Sequence, residues 1–265
     1  SPGALDPANY PLSGRGKAGD LFPWEHVEGD RNVQGATAIA VPGVVDGLGQ
    51  AHERFGKMPW GELLAPAVDH ARKGLLVDWY AALVIASCTR ALAQDADAAD
   101  LFLEDGQWPT ISGWTALAEK RLDQSRMADS LDQIARHGAR ALYDGDLGAT
   151  MARDVQDKGG CLSHDDLQAY RAEFSAPLDF AYRDARFHVV PGLTAGPTFR
   201  DTFTSLATDD LGNAPGPDSY AAMAEALKGA YARRLGSMGD TGESPEAPGC
   251  TTHFSVVDRH GNMVA

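Results

Sequence analysis

The chain has 265 residues, of which 43% are hydrophobic and 23% charged, the balance of an ordinary globular protein able to bury a substantial core. Its 23 Lys and Arg against 37 Asp and Glu leave a formal net charge of -14, which repels a nucleic-acid backbone or an anionic membrane over most of the surface. No stretch reaches the roughly 20 apolar residues of a bilayer span, the three cysteines Cys88, Cys161 and Cys250 form no CxxC pair, and the eight histidines are scattered. A nucleic-acid partner, a membrane anchor, a disulfide framework and a metal centre are therefore not expected.

In chain order, residues 1–35 are rich in Gly, Pro and charge and read as irregular surface structure. Gly14, Gly16 and Gly19 satisfy a GxGxxG pattern, but no apolar strand precedes it and no helical pattern follows, so the dinucleotide reading lacks its context. From Ala36 an apolar run to Val41-Pro42-Gly43 reads as a strand and turn. Val44 to Phe55 then has helical spacing, with a left-handed cap expected at Gly56. Trp60 to Lys73 reads as a helix closed by Gly74, and Asp78 to Leu92 as another with a buried apolar side.

Met127, Leu131, Ile134 and Ala135 repeat at helical spacing before Gly138. Asp146 is placed to cap a helix through Val155 that stops at Gly159-Gly160. Ser163 and Asp166 fit a capping box, which accounts for the paired carboxylates Asp165 and Asp166 without a catalytic role. Phe187 to Val190 reads as a strand and Asp218 to Leu235 as a long helix. A polar stretch from Gly236 to Gly249 follows, and Phe254 to Ala265 reads as a hairpin turning through Asp258 to Gly261. The sequence opens in a loop-like Ser1-Pro2-Gly3 and stops inside that second strand, so a fragment at both ends is expected.

Thr251 thus stands at the start of a strand, directly after a polar loop and behind Cys250. A threonine hydroxyl is a poor nucleophile unless a base lies beside it, and an N-terminal α-amine, with a pKa of about 8, is a base on the same residue. Cutting the Cys250–Thr251 bond would create that amine, and the same hydroxyl could attack the Cys250 carbonyl to make the cut. The bland alternative is that Thr251 and Thr252 are two β-branched residues packing in a hairpin. Cys250 has no adjacent basic residue to make it a thiolate nucleophile. His253 points to the opposite strand face from Thr252 and suits a structural hydrogen bond, while His260 falls in an exposed turn. Ser237 lies in no GxSxG motif.

Thr251-Thr252-His253-Phe254-Ser255-Val256-Val257-Asp258, followed by Gly261-Asn262, resembles the opening of the small subunit of γ-glutamyltranspeptidases. Val41-Pro42-Gly43, Phe55-Gly56 with Pro59-Trp60, Pro66-Ala67-Val68, Tyr143-Asp144-Gly145, Gly159-Gly160 and Asp166-Leu167 with Tyr170 resemble the large subunit in the same order. The resemblance implies an α+β fold of the N-terminal-nucleophile hydrolase type, an αββα sandwich. Residues 1–250 would belong to the large subunit, and 251–265 would open the small one.

It further implies that Thr251 is the nucleophile, that Cys250 and Thr251 form the autoprocessing junction, and that Thr252 and His253 support the motif. The substrate would be a small-molecule γ-glutamyl or related acyl amide, and the partner the chain's own small subunit. No metal or organic cofactor is implied. Members of the resembled family are often periplasmic or secreted; neither localisation nor homo-oligomer formation is decided by these residues.

The resembled family also carries an Arg-Glu pair early in this region, its arginine gripping the substrate α-carboxylate. Arg15 is the nearest candidate, although Gly16 rather than an acid follows it and the competing reading is a solvated loop charge. Pro191 to Thr198 departs from a proline- and serine-rich Gly-Gly segment common in the family, and the loop before Cys250 is short. Both departures leave the acyl group open, including non-glutamyl amides such as oxamate. The alternative of another class is a non-catalytic homologue with a structural or interaction role.

Overall fold

The structure, a computed structural model, describes residues 2–17, 25–111, 119–192, 194–212, 214, 216–237, 256–257, 259–260 and 263–264. The chain divides into two compact units, Ser1–Glu173 and Phe174–Ala265. The fold is α+β and helix-rich, with two-stranded antiparallel sheets among the described residues.

The larger unit opens with a hairpin, β1 (Leu12–Lys17) against β2 (Glu25–Val27), where the sequence suggested only irregular structure. The strand expected from Ala36 is instead a 3-10 turn, Ala36–Ala38. There the Ala38 N–H donates to the Gly35 carbonyl (3.1 Å) and the Thr37 hydroxyl to the Arg31 carbonyl (2.7 Å), so local bonds take up the polar groups that a strand neighbour would have paired. Helix α1 (Val44–Phe55) does stop at Gly56, but Gly56 has φ -68° and is not left-handed. Glycine is needed there for close approach, because a Cβ would lie 2.3 Å from the His52 ring.

Helix α2 (Trp60–Lys73) ends at Gly74 and leads into β3 (Leu75–Leu76). Helix α3 (Trp79–Leu92) starts from Asp78, whose carboxylate accepts from the Ala81 N–H at 2.8 Å. Its expected apolar side is mostly uncovered: Ile85 is buried, but Leu83 and Val84 are exposed. The elements packed on α3, helix α4 (Ala96–Phe102) and the hairpin of β4 (Leu103–Glu104) and β5 (Trp108–Pro109), cover one edge only.

Strand β6 (Arg121–Leu122) pairs with β3, and α5 (Ser125–His137) then packs along α2, with the Trp60 indole N–H donating to the Ile134 carbonyl at 2.9 Å. Ala128 and Ile134 are buried and Leu131 and Ala135 half-buried, while Met127 is exposed, so the expected stripe holds except at its first position. Helix α6 (Ala141–Asp144) precedes α7 (Asp146–Asp157), where Asp146 is the first helical residue rather than the cap. Gly145 takes the extended cap conformation, and the Asp146 carboxylate instead contributes charge to the first turn. Helix α8 (His164–Ala169) carries the expected capping box, with the Asp166 N–H on Ser163 Oγ at 3.0 Å and the Ser163 N–H on the Asp166 carboxylate at 2.9 Å.

Tyr143, Leu162 and Leu167 are fully buried and, with Ile134, Leu142, Ala152 and Val155, form the core under α2, α5, α6, α7 and α8. One charge is buried beside it. Asp46 on α1 is 3% exposed, and its carboxylate accepts from Arg140 (3.1 Å), the Gln50 amide (2.8 Å) and the Ala172 N–H (2.7 Å). The Asp46 N–H in turn donates to the Tyr143 hydroxyl at 3.0 Å. Arg140 also grips Asp144 and the Tyr170 carbonyl, and its guanidinium lies 4.6 Å from the Tyr143 ring centre. A second ion-pair node joins α7 to the start of α4, with the Lys158 ammonium on Asp97 (2.6 Å) and Asp95 (2.8 Å) holding its pKa above the ordinary lysine value.

The smaller unit is built on aromatic rings. Strands β7 (Leu178–Tyr182) and β8 (Ala185–Val189) pair in full register, and α9 (Gly196–Ser205) lies on them. Phe180 and Phe187 stack at 5.1 Å, and Phe199 and Phe203 meet them from α9, 4.6 Å from each other. Helix α10 (Pro217–Ser237) packs on α9, and β9 (Val256–Val257) pairs with β10 (Met263–Val264). The hairpin expected at the end of the sequence is therefore present.

Burial alone would raise the Asp46 carboxyl, but the Ala172 N–H, Gln50 and Arg140 outweigh it and hold its pKa below the ordinary carboxylate value. A depressed carboxylate contributes stability that is fully present above its unfolded pKa and lost as pH falls through the folded one. Asp46 thus adds to acid unfolding below about pH 4. Arg140→Ala is expected to cost about 3 kcal/mol at neutral pH, because it strands a buried charge. Asp46→Asn should flatten the acid limb of the pH–stability curve; both are read from urea midpoints.

Candidate active site

Cys250, Thr251, Thr252 and His253 lie outside the described residues. The elements that flank them are described: α10 ends at Ser237, and β9 begins at Val256, five positions after Thr251. Met263 pairs with Val257 and Val264 with Val256, so a strand paired on one side follows the threonine motif. Arg259 and His260 are exposed in the turn, with Arg259 Nε donating to His260 Nε2 at 3.1 Å.

Arg15 belongs to the other unit and sits in β1 rather than in a loop. Leu12 pairs with Val27 and Lys17 with Glu25, so β1 advances five residues while β2 advances two, and Ser13 to Gly16 bulge out of the ladder. Gly14 and Gly16 make that excursion at φ 70° and 88°, conformations a side chain rarely adopts. Arg15 lies between them, exposed, and no described carboxylate pairs with its guanidinium. The glycines of the discarded GxGxxG pattern thus serve a bulge that presents an arginine.

Beneath the bulge runs a chain of polar contacts that the sequence reading did not anticipate. The Arg15 N–H donates to Ser13 Oγ at 3.2 Å, Ser13 Oγ lies 2.8 Å from His26 Nδ1, and His26 Nε2 lies 3.2 Å from the Asp30 carboxylate. The direction of the Ser13–His26 bond follows the imidazole tautomer, and the Asp30 carboxylate can only accept. Asp30 itself has φ 53°, and its carbonyl takes the Val33 and Gln34 N–H groups at 2.8 and 2.9 Å. The signal for this arrangement was weak, since a bulge of glycines erases the period of two that marks a strand.

A separate open cavity of about 440 Å³ in the smaller unit is lined by apolar groups including Phe203, Leu206, Met223 and Leu227. Its buried hydroxyls are committed elsewhere, Thr202 to the Thr198 carbonyl (2.8 Å) and Ser219 to the Gly216 carbonyl (2.9 Å), so neither is poised as a nucleophile. Among the described residues no group of His, Cys, Asp and Glu is arranged to hold a metal, and no helix is long and apolar enough to cross a membrane.

Comparison with known proteins agrees with this architecture. An acylase proenzyme (ACY 1) of Pseudomonas sp. strain V22 is 35% identical over 79% of this chain, and glutathione hydrolase 2 of Arabidopsis thaliana is 29% identical over 82%. The chain spans 37% and 36% of the length of those two relatives. The crystal structure of Helicobacter pylori gamma-glutamyltranspeptidase superposes with a TM-score of 0.74 at 22% identity, covering 83% of this chain and 62% of that one, which shows the shared fold. The family model for gamma-glutamyltranspeptidase matches residues 7–249, and the chain belongs to that family.

Proposed function

We propose that the protein carrying this chain is an autoprocessing amide hydrolase or acyltransferase whose nucleophile is Thr251. The observation that carries the reading is the placement of Cys250-Thr251-Thr252 between a polar stretch and the strand β9, in a chain of this family. In maturation the Thr251 hydroxyl attacks the Cys250 carbonyl carbon, the peptide nitrogen leaves as the new α-amine, and water opens the resulting ester. In turnover the α-amine accepts the hydroxyl proton as Oγ attacks the substrate amide, then passes it to the departing amine. The acyl group remains as an ester on Thr251 until water or an acceptor amine removes it. Arg15, exposed on its bulge, is the candidate carboxylate-binding group. Thr252 and His253 support the motif.

The acyl group is γ-glutamyl or a related acyl chain. A specific observation favours the second: the identity to an acylase proenzyme, 35%, exceeds that to the glutathione hydrolase, 29%. A panel of γ-glutamyl, glutaryl, oxamyl and unsubstituted acyl anilides separates the two, with faster release from the non-glutamyl members expected on the acylase reading.

Intact-mass analysis of the full-length protein beside its Thr251→Ala form tests the nucleophile. Two pieces, the smaller beginning at Thr251, are expected from the unsubstituted protein and one uncut chain from the variant. A single uncut chain in both would favour a non-catalytic homologue instead.

A further inference from the structure

The open cavity of the smaller unit lies wholly within Phe174–Ala265, framed by the tip of the β7–β8 hairpin, by α9 and by α10. Phe203 comes from α9, and Met223 and Leu227 stand one turn apart on α10. Leu206, just past α9, is buried at its base, whereas Met223 and Leu227 remain 41% and 46% exposed. These walls therefore turn apolar surface toward water instead of burying it against each other. At about 440 Å³ the cavity is the size of a small-molecule site.

Polar recognition inside it is confined. The Thr202 hydroxyl is spent on the Thr198 carbonyl, and Ser219 Oγ both donates to the Gly216 carbonyl and accepts the Gly216 N–H at 2.8 Å. Among the described residues that line the cavity only Arg183 is charged, a cation in a chain whose formal net charge is -14.

The backbone of Arg183 is unusual. Tyr182 pairs with Ala185, so Arg183 and Asp184 make a two-residue hairpin turn. Arg183 takes φ 55° there, a left-handed conformation that glycine or asparagine adopts at smaller cost. Its guanidinium lies over the Tyr182 ring, 5.4 Å from the centre, which keeps the charge at the rim without neutralising it. A costly conformation that delivers a cation to the edge of an apolar cavity points to a role in binding.

Apolar walls with one cation at the rim match a ligand divided in the same way, an apolar body ending in an anion. A neutral apolar molecule leaves the guanidinium unused, and an organic cation is repelled by it. We propose that this cavity binds an amphipathic monocarboxylate of medium chain length, its chain against Phe203, Met223 and Leu227 and its carboxylate on Arg183. The site shares no residue with the threonine motif, and the proposal does not rest on the reading of Thr251.

The test is calorimetric titration of the full-length protein with three probes of matched chain length, decanoate, decanol and decyltrimethylammonium. Decanoate is expected to bind saturably, at one site per chain, and more tightly than the other two. Arg183→Asn removes the charge and suits the left-handed turn, so it should weaken decanoate by roughly three- to tenfold, the worth of an exposed charge-assisted bond. Decanol should be unaffected by that variant, and the melting temperature should be equal or higher. Met223→Trp fills the cavity from a part-exposed helix position and should abolish saturable binding of decanoate and decanol alike.

If decanoate shows no saturable binding, the proposal fails, whether other parts of the full-length protein fill the cavity or its walls reject the chain. Equal weakening of decanoate and decanol in Arg183→Asn, or no weakening of either, would remove the cation from recognition and overturn the assignment. Decanoate binding that survives Met223→Trp would put the ligand elsewhere on the protein and defeat the proposal as well.

Discussion

The larger unit depends on a single charge taken out of water. Asp46 lies on the first long helix, yet its carboxylate is satisfied by groups from far along the chain, Arg140 before α6 and the Ala172 N–H after α8. An ionised carboxylate at that depth is tolerated only when every lone pair has a partner, so the three segments must arrive together or not at all. The same residue presents its own N–H to the Tyr143 hydroxyl, whose ring stacks on Tyr170 at 5.9 Å. Packing and polar satisfaction are thereby coupled: the fully buried tyrosine of the core is also a member of the ion-pair network. Apolar burial supplies the driving force here, and the charge selects which arrangement of helices receives it.

The first residues of the chain show the opposite economy of means. Leu12 to Lys17 and Glu25 to Val27 offer little apolar surface, and among the described residues of their hairpin only Val27 is buried. Polar contacts define it instead, from the Tyr10 hydroxyl on the Thr37 carbonyl at 2.7 Å to the contact of Ser13 with His26. A segment held in this way can present a side chain outward without the side chain helping to hold the segment.

Long periodic helices were legible from sequence because their apolar spacing and their stops agree: α1, α2 and α5 end at Gly56, Gly74 and Gly138. So was the Ser163–Asp166 capping box, whose bonds are local and need no tertiary context. What escaped was decided at a distance. The exposure of Leu83 and Val84 on α3 and of Met127 on α5 depends on what packs against those helices, which period alone does not tell. Strand β7 shows Leu178, Phe180 and Tyr182 at alternate positions, yet its role is evident only once Phe180 meets Phe187 and Phe203. The hairpin that carries Arg15 was hidden by the glycines that make it useful. Of the candidate site, the motif around Thr251 rests on resemblance, and Arg15 was named without its strand. The serine, histidine and aspartate behind it carry no mark in one dimension.

A carboxylate approaching a chain with a formal net charge of -14 meets long-range repulsion. At physiological ionic strength that repulsion is damped beyond about 8 Å, whereas a guanidinium in contact with its ligand is not. Recognition must therefore be short in range, and its strength turns on where one cation sits rather than on the field of the whole surface. Some arginines elsewhere in the larger unit are neutralised by neighbours, as Arg140 is by Asp46 and Asp144 and Arg136 by Asp132. A guanidinium left without a carboxylate among the described residues costs nothing in water, but it gains value only if its geometry is kept. Keeping it requires rigid backbone rather than opposite charge, since a neighbouring acid would compete with the substrate for the same fork of donors. At the β1 bulge Ser13 Oγ takes the Arg15 N–H and lies against His26, and the Asp30 carboxylate sits 3.2 Å behind the imidazole rather than beside the guanidinium.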